Sequence, residues 1–486
     1  MIGKKRFEGK MMYCISLDAL VPEDNFYRKI ERILDLRFLY KECKNIYGST
    51  GKPSIDPVVF FKILLFGYFE NIISDRELVR RASDSLGVRL YLGYDIDEEL
   101  PWHSTISRTR KLYKEEIFEK LFEQVLEKCI SAGIVSGEHQ SIDSTLVRAN
   151  ASLTSLEKKI EVIELKEYIN KTYKENSGDE KSKKDNKSEE ESDNGGNNRL
   201  TKNKEYVSKT DSDSRMARKG DKPINMYYLT HYGVDSKNKV ITEVLTTRAD
   251  IKDSTSLMTV FNHLKRRLSK NQKEVKQVSA DKGYCSGKNL KMLEEEGIIP
   301  YIPKQRNVNT IGGIDKEEFK YDEQSDTYQC PQQKQLSYRG YRKNKESIVY
   351  KTKKGECTKC PIREICTTSD SRSINRSIYH DEIERLEKRM KSKEGKEAMR
   401  LRKTGPEPLF GEAKANHGLL KFMNRGLSNA QKTSYVIATV QNLKRLMKAI
   451  TRKRDVIRNE IGNLIFTSIN PVNNYNKLIL NNIYCH

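Results

Sequence analysis

The stretch Val275-Lys-Gln-Val-Ser-Ala-Asp281-Lys-Gly-Tyr284 decides the fold. Val275 to Ala280 is a short apolar run of strand length and predicts a buried strand. An acidic residue follows at once, and then Lys282-Gly283-Tyr284. A carboxylate at the C-terminal end of a buried strand sits on the edge where sites of α/β folds lie. A helix around Ser254 to Leu268 leads into the strand. A helix over about Gly287 to Glu296 and a strand over Ile298 to Ile302 follow it. Further out, Met226 to Val234 and Lys239 to Thr247 flank an Asp-Ser-Lys-Asn turn and predict a hairpin. Another strand runs from His139 to Leu146. Strands alternating with helices predict an α/β layer architecture.

Residues 20–135 predict a separate helical domain. Asp56-Pro57 is a helix start, with Asp as cap and Pro in the first turn. The helix it opens is apolar on nearly every face (Val58, Phe61, Leu64, Leu65, Tyr68), so it belongs at the domain's centre. A second helix follows from Ser74. His103-Ser104-Thr105 opens another, carrying Arg108, Arg110 and Lys111. The last runs from about Glu115 to Ala132, with Ile117, Leu121, Val125 and Leu126 inward. Short helices with basic residues after a Ser/Thr start suit a helix-turn-helix-like DNA-binding module, with Arg108 and Arg110 as contacts. An ordinary helical bundle with solvated cations is the competing interpretation.

The 486 residues carry a formal net charge of +22. That balance favours a polyanionic partner, nucleic acid or an anionic surface. No secretory signal is visible at the N-terminus. The most apolar stretch, Pro57 to Ile73, is short for a membrane span and interrupted by Lys62, Glu70 and Asn71. The nine cysteines are unevenly spread. Without a signal, a disulfide framework is not expected, and the chain is expected in the cytoplasm, with no membrane association. Residues 171–205 hold almost no large apolar side chain and predict disorder, because they cannot bury enough surface to offset ordering entropy.

Asp143 stands mid-strand between Ile142 and Ser144, where an acidic residue is unfavourable and needs a partner. Glu407 follows Gly405-Pro406, a helix start, and Lys414 lies seven residues on, two turns along the same face. Carboxylates that hold two divalent ions activate a water or a 3′-hydroxyl and stabilise the departing oxygen. Mg²⁺ prefers oxygen ligands and keeps several waters, so Asp143, Asp281 and Glu407 suffice, with Lys414 on a phosphate. Asp211, Asp213, Asp250, Asp253 and Glu412 are competitors that spacing does not exclude.

Several motifs, in order, give the chain a resemblance to a known family. They are Gly51-Lys52-Pro53-Ser54-Ile55-Asp56-Pro57, Pro101-Trp102-His103-Ser104-Thr105, Asp143-Ser144-Thr145, Ala149-Asn150-Ala151-Ser152, Ala280-Asp281-Lys282-Gly283-Tyr284, Glu407-Pro408-Leu409-Phe410-Gly411, Arg425-Gly426-Leu427 and Asn442-Leu443. The chain resembles the DDE transposases of bacterial insertion sequences, of the "IS eleven-eighty-two" type. The resemblance implies an RNase H-like core. In it the first Asp lies on the first strand, the second Asp ends the fourth, and the Glu lies on a later helix. Asp143, Asp281 and Glu407 take those places. Related elements often show Tyr and then Arg ahead of the Glu. Here Arg400 and Lys403 stand there, with Arg402 adjacent, and Lys lacks the bidentate phosphate geometry of Arg.

Cys357-Thr-Lys-Cys360 is a zinc half-site by spacing, since two thiolates on a tight turn reach one tetrahedral ion. Cys330 and Cys366 complete a four-thiol set, and reduced cysteines in a loop-rich insert are the alternative. Tyr284 is expected to pack beneath the site, His103 to serve near a cap, and His417 to touch phosphate. Cys14, Cys43, Cys129, Cys285 and Cys485 are isolated.

The resulting expectation is an α/β chain with an RNase H-like core and an N-terminal all-helical domain. Its parts are the helical DNA-binding domain 20–135, core segments 136–170, 206–304 and 381–450, a disordered linker 171–205, a cysteine-rich insert 305–380 and a tail 451–486. It would bind terminal inverted repeats in double-stranded DNA, cut there with Mg²⁺ or Mn²⁺ on Asp143, Asp281 and Glu407, and join a 3′-hydroxyl to target DNA. Lys414, Arg402 and Lys403 would neutralise phosphates, and a structural Zn²⁺ would sit on the thiols. By the resemblance, two copies would meet in the complex of paired ends. An inactive DNA-binding derivative and a nuclease without strand transfer are the alternatives.

Overall fold

Asp56 starts the helix on which the N-terminal region is built. Its carboxylate accepts from the Val58 and Val59 amides at 2.6 and 3.3 Å, and Pro57 occupies the first turn, where no amide is needed. A computed structural model describes residues 15–47, 54–159, 202–218, 223–305 and 314–481, with side chains in the last run up to 455. Among the described residues this region holds eight α-helices: α1 (Leu17–Leu20), α2 (Phe26–Ile33), α3 (Phe38–Cys43), α4 (Pro57–Phe69), α5 (Asp75–Asp84), α6 (Leu86–Leu92), α7 (His103–Leu112) and α8 (Glu115–Ser131). Phe60, Phe61, Ile63, Leu64 and Leu65 of α4 are all buried, so the helix sits at the centre as its composition predicts. Each such burial stabilises by roughly 1.5–3 kcal/mol. Phe61 packs on Tyr113 and Phe118, and its truncation to Ala should cost about 3–5 kcal/mol.

The main sheet follows. β1 (His139–Arg148) lies at its centre. A short antiparallel ladder, β2 (Leu156–Lys158) with β3 (Tyr206–Ser208), lies beside the main sheet. β4 (Arg215–Ala217), β5 (Asn225–Asp235) and β6 (Val240–Arg248) continue the chain, and then β7 (Gln277–Ala280) and β8 (Ile299–Tyr301). The order across the sheet is β6-β5-β1-β7-β8, with β4 beside the start of β5. β1, β5 and β6 are antiparallel, while β7 and β8 run parallel to β1. α9 (Asp253–Lys270) and α10 (Gly287–Glu295) form the connections around β7. The predicted hairpin and helices are present with shifts of a residue or two, and the last strand is shorter than Ile298 to Ile302.

A second sheet has five antiparallel strands in the order β13-β12-β11-β10-β9: β9 (Lys320–Asp322), β10 (Thr327–Gln329), β11 (Gln335–Arg342), β12 (Ser347–Lys351) and β13 (Ser373–Ser377). α11 (Arg363–Cys366) lies between the last two. The cysteine-bearing segment is therefore a folded sheet rather than loop. Its separate core is small, built from Ile314, Phe319, Tyr328, Leu336, Tyr350, Cys366 and Ile374.

Three helices then return the chain to the main sheet: α12 (His380–Lys391), α13 (Lys393–Thr404) and α14 (Pro406–Asn416). The last helix, α15 (Leu427–Asn481), lies along α8, β6 and α4. Residues 451–481, the described part of the expected tail 451–486, continue this helix. Asp211 accepts from the Gly426 amide at 3.1 Å and Asp213 from the Leu427 amide at 2.9 Å, capping its start. Farther along, two side-chain amides meet the edge of β6. Gln431 accepts from Thr246 N and donates to the Val244 carbonyl. Asn442 accepts from Ile241 N and donates to its carbonyl, both at 2.8 Å.

Most of the tract 171–205 lies outside the described residues, as do Gly51, Lys52, Pro53, Cys14 and Cys485. Residues 202–205 form a helical turn.

Candidate active site

Ile142 pairs with Ala280 in the parallel ladder of β1 and β7. One step further along both strands come Asp143 and Asp281, level with each other. β7 ends at Ala280, so Asp281 leaves the sheet at its C-terminal edge. Asp143 stays within β1, opposite Tyr232 of β5. α14 brings Glu407 to this edge in its first turn, where the helix dipole favours a carboxylate. Gly405 makes the approach possible. Its Cα is so close to the turn before it that a Cβ would sit 3.0 Å from the Leu401 carbonyl and 3.9 Å from Ser141.

Arg402, in the last turn of α13, ties the cluster together. Its guanidinium donates to Asp143 Oδ2 at 3.3 Å and to Glu407 Oε1 at 3.2 Å. Burial pushes the Asp143 carboxyl up to about 6; the Ser144 amide and Arg402 oppose this, and the charges of Asp281 and Glu407 add to it. The carboxylates thus act on one another electrostatically. Glu407 is half exposed, while Asp143 is largely covered.

Asp253 joins them from the start of α9. Ser144 Oγ, next to Asp143, donates to Asp253 Oδ1 at 2.8 Å. Gly283, two residues after Asp281, presses against the other oxygen: a Cβ there would lie 2.8 Å from Asp253 Oδ2. The buried Tyr284 hydroxyl also reaches Asp253 and stands 2.6 Å from His231 Nδ1. Burial holds His231 down to about 3, so the ring is neutral. Tyr284 packs beneath the site, as expected. Among the competing acids, Asp253 alone comes to the site. Asp250 pairs with Arg215, Glu412 with Arg445, and Asp211 and Asp213 cap α15. Spacing could not single out Asp253; its only sequence signal is a place at the head of a helix, five residues after the end of a strand.

The expected basic residues divide. Lys414 Nζ donates to Thr145 Oγ1 and, at 3.3 Å, to the Leu146 carbonyl, so it stands beside β1 just past Asp143. Lys403 is exposed on α13 and Arg108 is exposed on α7. Arg110 departs from expectation: it is buried, and its guanidinium forks onto Asp75 of α5 at 2.6 and 2.8 Å. Its apolar spacing with Ile106 puts it on the inner face of α7. Arg402 is turned onto Asp143 and Glu407 through its two terminal nitrogens, while its Nε is buried without a partner among the described residues. His417 is buried and bonds the Tyr68 carbonyl at 2.6 Å, which removes it from any phosphate. His103 begins α7.

The four cysteines share the small sheet. Cys357 and Cys360 flank a turn in which the Cys360 amide bonds the Cys357 carbonyl at 3.3 Å. Cys330 lies in the β10–β11 turn, its sulfur accepting from the Lys334 amide at 3.2 Å. Burial raises the Cys366 thiol, Arg372 lowers it, and the nearness of Cys357, Cys360 and Cys330 raises it further. As the side chains stand, no group of three or more His, Cys, Asp or Glu among the described residues is placed to hold a metal ion. At the carboxylates, the donor chemistry fits a hard divalent ion, and Arg402 is the cation now between two of the acids.

Among the described residues no helix is long and apolar enough to cross a membrane. No curated protein matches the chain. Residues 15–112 match the family model described as a transposase domain (DUF772). Residues 329–447 match the one described as a transposase DDE domain, a span that takes in the four cysteines, Arg402, Glu407 and Lys414. With a transposase domain at its N-terminal end and a transposase DDE domain toward its C-terminal end, the chain is consistent with a DDE transposase of insertion-sequence type.

Proposed function

We propose that the protein binds the terminal inverted repeats of its element, cleaves the DNA there and joins the freed 3′-hydroxyl to target DNA. The observation that carries this is the meeting of Asp143, Asp281 and Glu407 at one edge of the main sheet, two of them level on adjacent parallel strands. The strand order, with β1, β5 and β6 antiparallel and β7 and β8 parallel to β1, supports an RNase H-like core.

Asp143, Asp281 and Glu407 would hold Mg²⁺, which lowers the charge cost of an attacking and a departing oxygen. Arg402 must then release at least one carboxylate and is left to neutralise the same cluster or an incoming phosphate. Lys414 sits where a phosphate passing Thr145 would meet it. Asp253 accepts from Ser144 and from Tyr284, so it acts as a positioning residue that ties the Asp143 strand to the turn after Asp281. Exposed Arg108 on α7 suits a phosphate contact by the helical region, and Trp102, 72% exposed at the same helix start, suits stacking or groove contact. Two copies would meet when two ends pair, in the cytoplasm at the nucleoid.

The four thiols are soft donors suited to Zn²⁺, and a core as small as that of the second sheet would gain folding energy from one. Metal analysis of protein purified without chelator should return about one zinc per chain; an absence of zinc, with all four thiols freely alkylated in the folded protein, would remove this part.

The test of the main reading is cleavage of supercoiled and linear DNA carrying the inverted repeats that flank the gene, with Mg²⁺ or EDTA. Metal-dependent breaks at the repeat ends that vanish in Asp281→Ala support it. Specific binding without cleavage under any metal leaves a DNA-binding protein, and breaks without joined products leave a nuclease.

A further inference from the structure

The other end of the main sheet carries charge of the opposite sign. Residues 236–239 join β5 to β6 beside His139, where β1 begins, so this turn lies at the end away from Asp281. α15 runs toward it. Gln431 meets Thr246, Asn442 meets Ile241 nearer the turn, and the next helical turns overhang the hairpin. There a cavity of about 570 Å³ is lined by Lys237, Lys239, Lys444, Arg445, Lys448 and Arg452, with Glu412 its one acid. Positions 444, 448 and 452 step by four along α15 and share one face.

Part of this charge is compensated. Arg445 bonds Glu412 at 2.8 Å, Lys444 lies 3.9 Å from it, and Lys237 donates to the Gly133 carbonyl at 3.2 Å. Lys239, Lys448 and Arg452 have no carboxylate partner among the described residues. Gathering these cations costs Coulomb energy unless an anion joins them. The cavity is open, and exposed Arg454 extends the basic strip along α15. An open strip suits a polyanion that continues past the cavity better than a small closed-in anion.

α14 separates the two ends. Glu407 and Lys414 project from one face of it, and Glu412, five residues after Glu407 at about 100° per residue, projects from nearly the opposite face. We propose that the cavity between the β5–β6 turn and α15 is a second DNA site, which takes the phosphodiester backbone of a segment remote from the bond being cut. It reads charge and spacing, not bases. The inference extends the DNA partner proposed above to a different surface.

The experiment measures duplex affinity by fluorescence anisotropy across a salt series, in an Asp281→Ala background so that the probe stays uncut. Loss of three phosphate contacts in Lys239→Ala/Lys448→Ala/Arg452→Ala should weaken binding at least about tenfold at about 150 mM salt and make the log–log salt slope shallower by about 2.7. The charge-keeping variant Lys239→Arg/Lys448→Arg/Arg452→Lys should retain both. All three side chains are exposed, and a thermal melt confirms folding. An unchanged slope in the folded Ala variant overturns the proposal. So does calorimetric binding of inorganic tripolyphosphate that the Ala variant loses while its DNA affinity stays the same, since the cavity would then serve a free polyphosphate. The readout needs no cleavage, so it succeeds or fails independently of the carboxylate reading.

Discussion

Arg267 and Arg402 each hold several carboxylates, in opposite surroundings. Arg267, 1% exposed, bonds Glu119 and Glu123 of α8 and the fully buried Glu243 of β6. Arg266 and His263 stand near the same acids at 3.7 Å. That knot joins the helical region to the main sheet, and its charge is largely answered inside the fold. Arg402 faces Asp143 and the half-exposed Glu407, with Asp281 and Asp253 close by and no other described arginine bonded to them. The second knot is short of positive charge and open to solvent. An acid cluster completed by the protein's own cations is architecture; one left incomplete at a sheet edge has room for a cation or phosphate from outside.

The comparison can be broken at several points. Asp281→Ala should reduce cleavage by at least about 10³-fold, some 4 kcal/mol in the barrier, with an unchanged circular dichroism spectrum. A variant that still cuts would end the distinction. Arg267→Ala should cost about 3–5 kcal/mol of stability by stranding Glu243, read from denaturant midpoints, and Arg402→Ala should cost clearly less because Glu407 can hydrate. Equal losses would make both knots structural.

Asp253 sharpens the second knot. Asp253→Ala should slow cleavage roughly 10- to 100-fold, mainly in kcat, because the contact that holds Ser144, next to Asp143, is lost. Asp253→Asn keeps an acceptor for Ser144 and should recover most of the rate. If Asn is as poor as Ala, the carboxylate binds metal or substrate itself.

The smallest effect concerns His139, which burial pushes down to about 4 from its ordinary 6.5. The unfolded chain then binds the extra proton, so this contribution is present above 6.5 and is lost as pH falls from 6.5 toward 4. The gap in urea stability between wild type and His139→Gln should narrow over that window, by about 1 kcal/mol per pH unit or less. Taking the difference removes Asp143, whose raised ionisation acts in the opposite sense.

Much of this was legible in the residues. Asp56-Pro57, the apolar α4, the hairpin around Asp235 and the strand ending at Asp281 follow from local rules of capping, periodicity and turns. The companions of the site were less so. Arg402 reaches Asp143 across 259 positions, and Ser144 reaches Asp253 across 109. Such pairs depend on how the sheet brings distant segments together, which no local pattern encodes. Arg110 was misplaced for a related reason: a basic residue on a short helix looks solvated until its partner, Asp75, is known. Cysteine spacing pointed to a common cluster, and the strands around it escaped notice because they are short and polar.

The amides of Gln431 and Asn442 have a consequence for assembly. An outer strand normally offers its free N–H and C=O groups to any extended segment, including that of a second copy. On β6 those groups at Ile241, Val244 and Thr246 are already taken by side chains of a helix. α15 therefore acts as a stopper on that flank, and copies of this chain cannot join by adding strand to strand there.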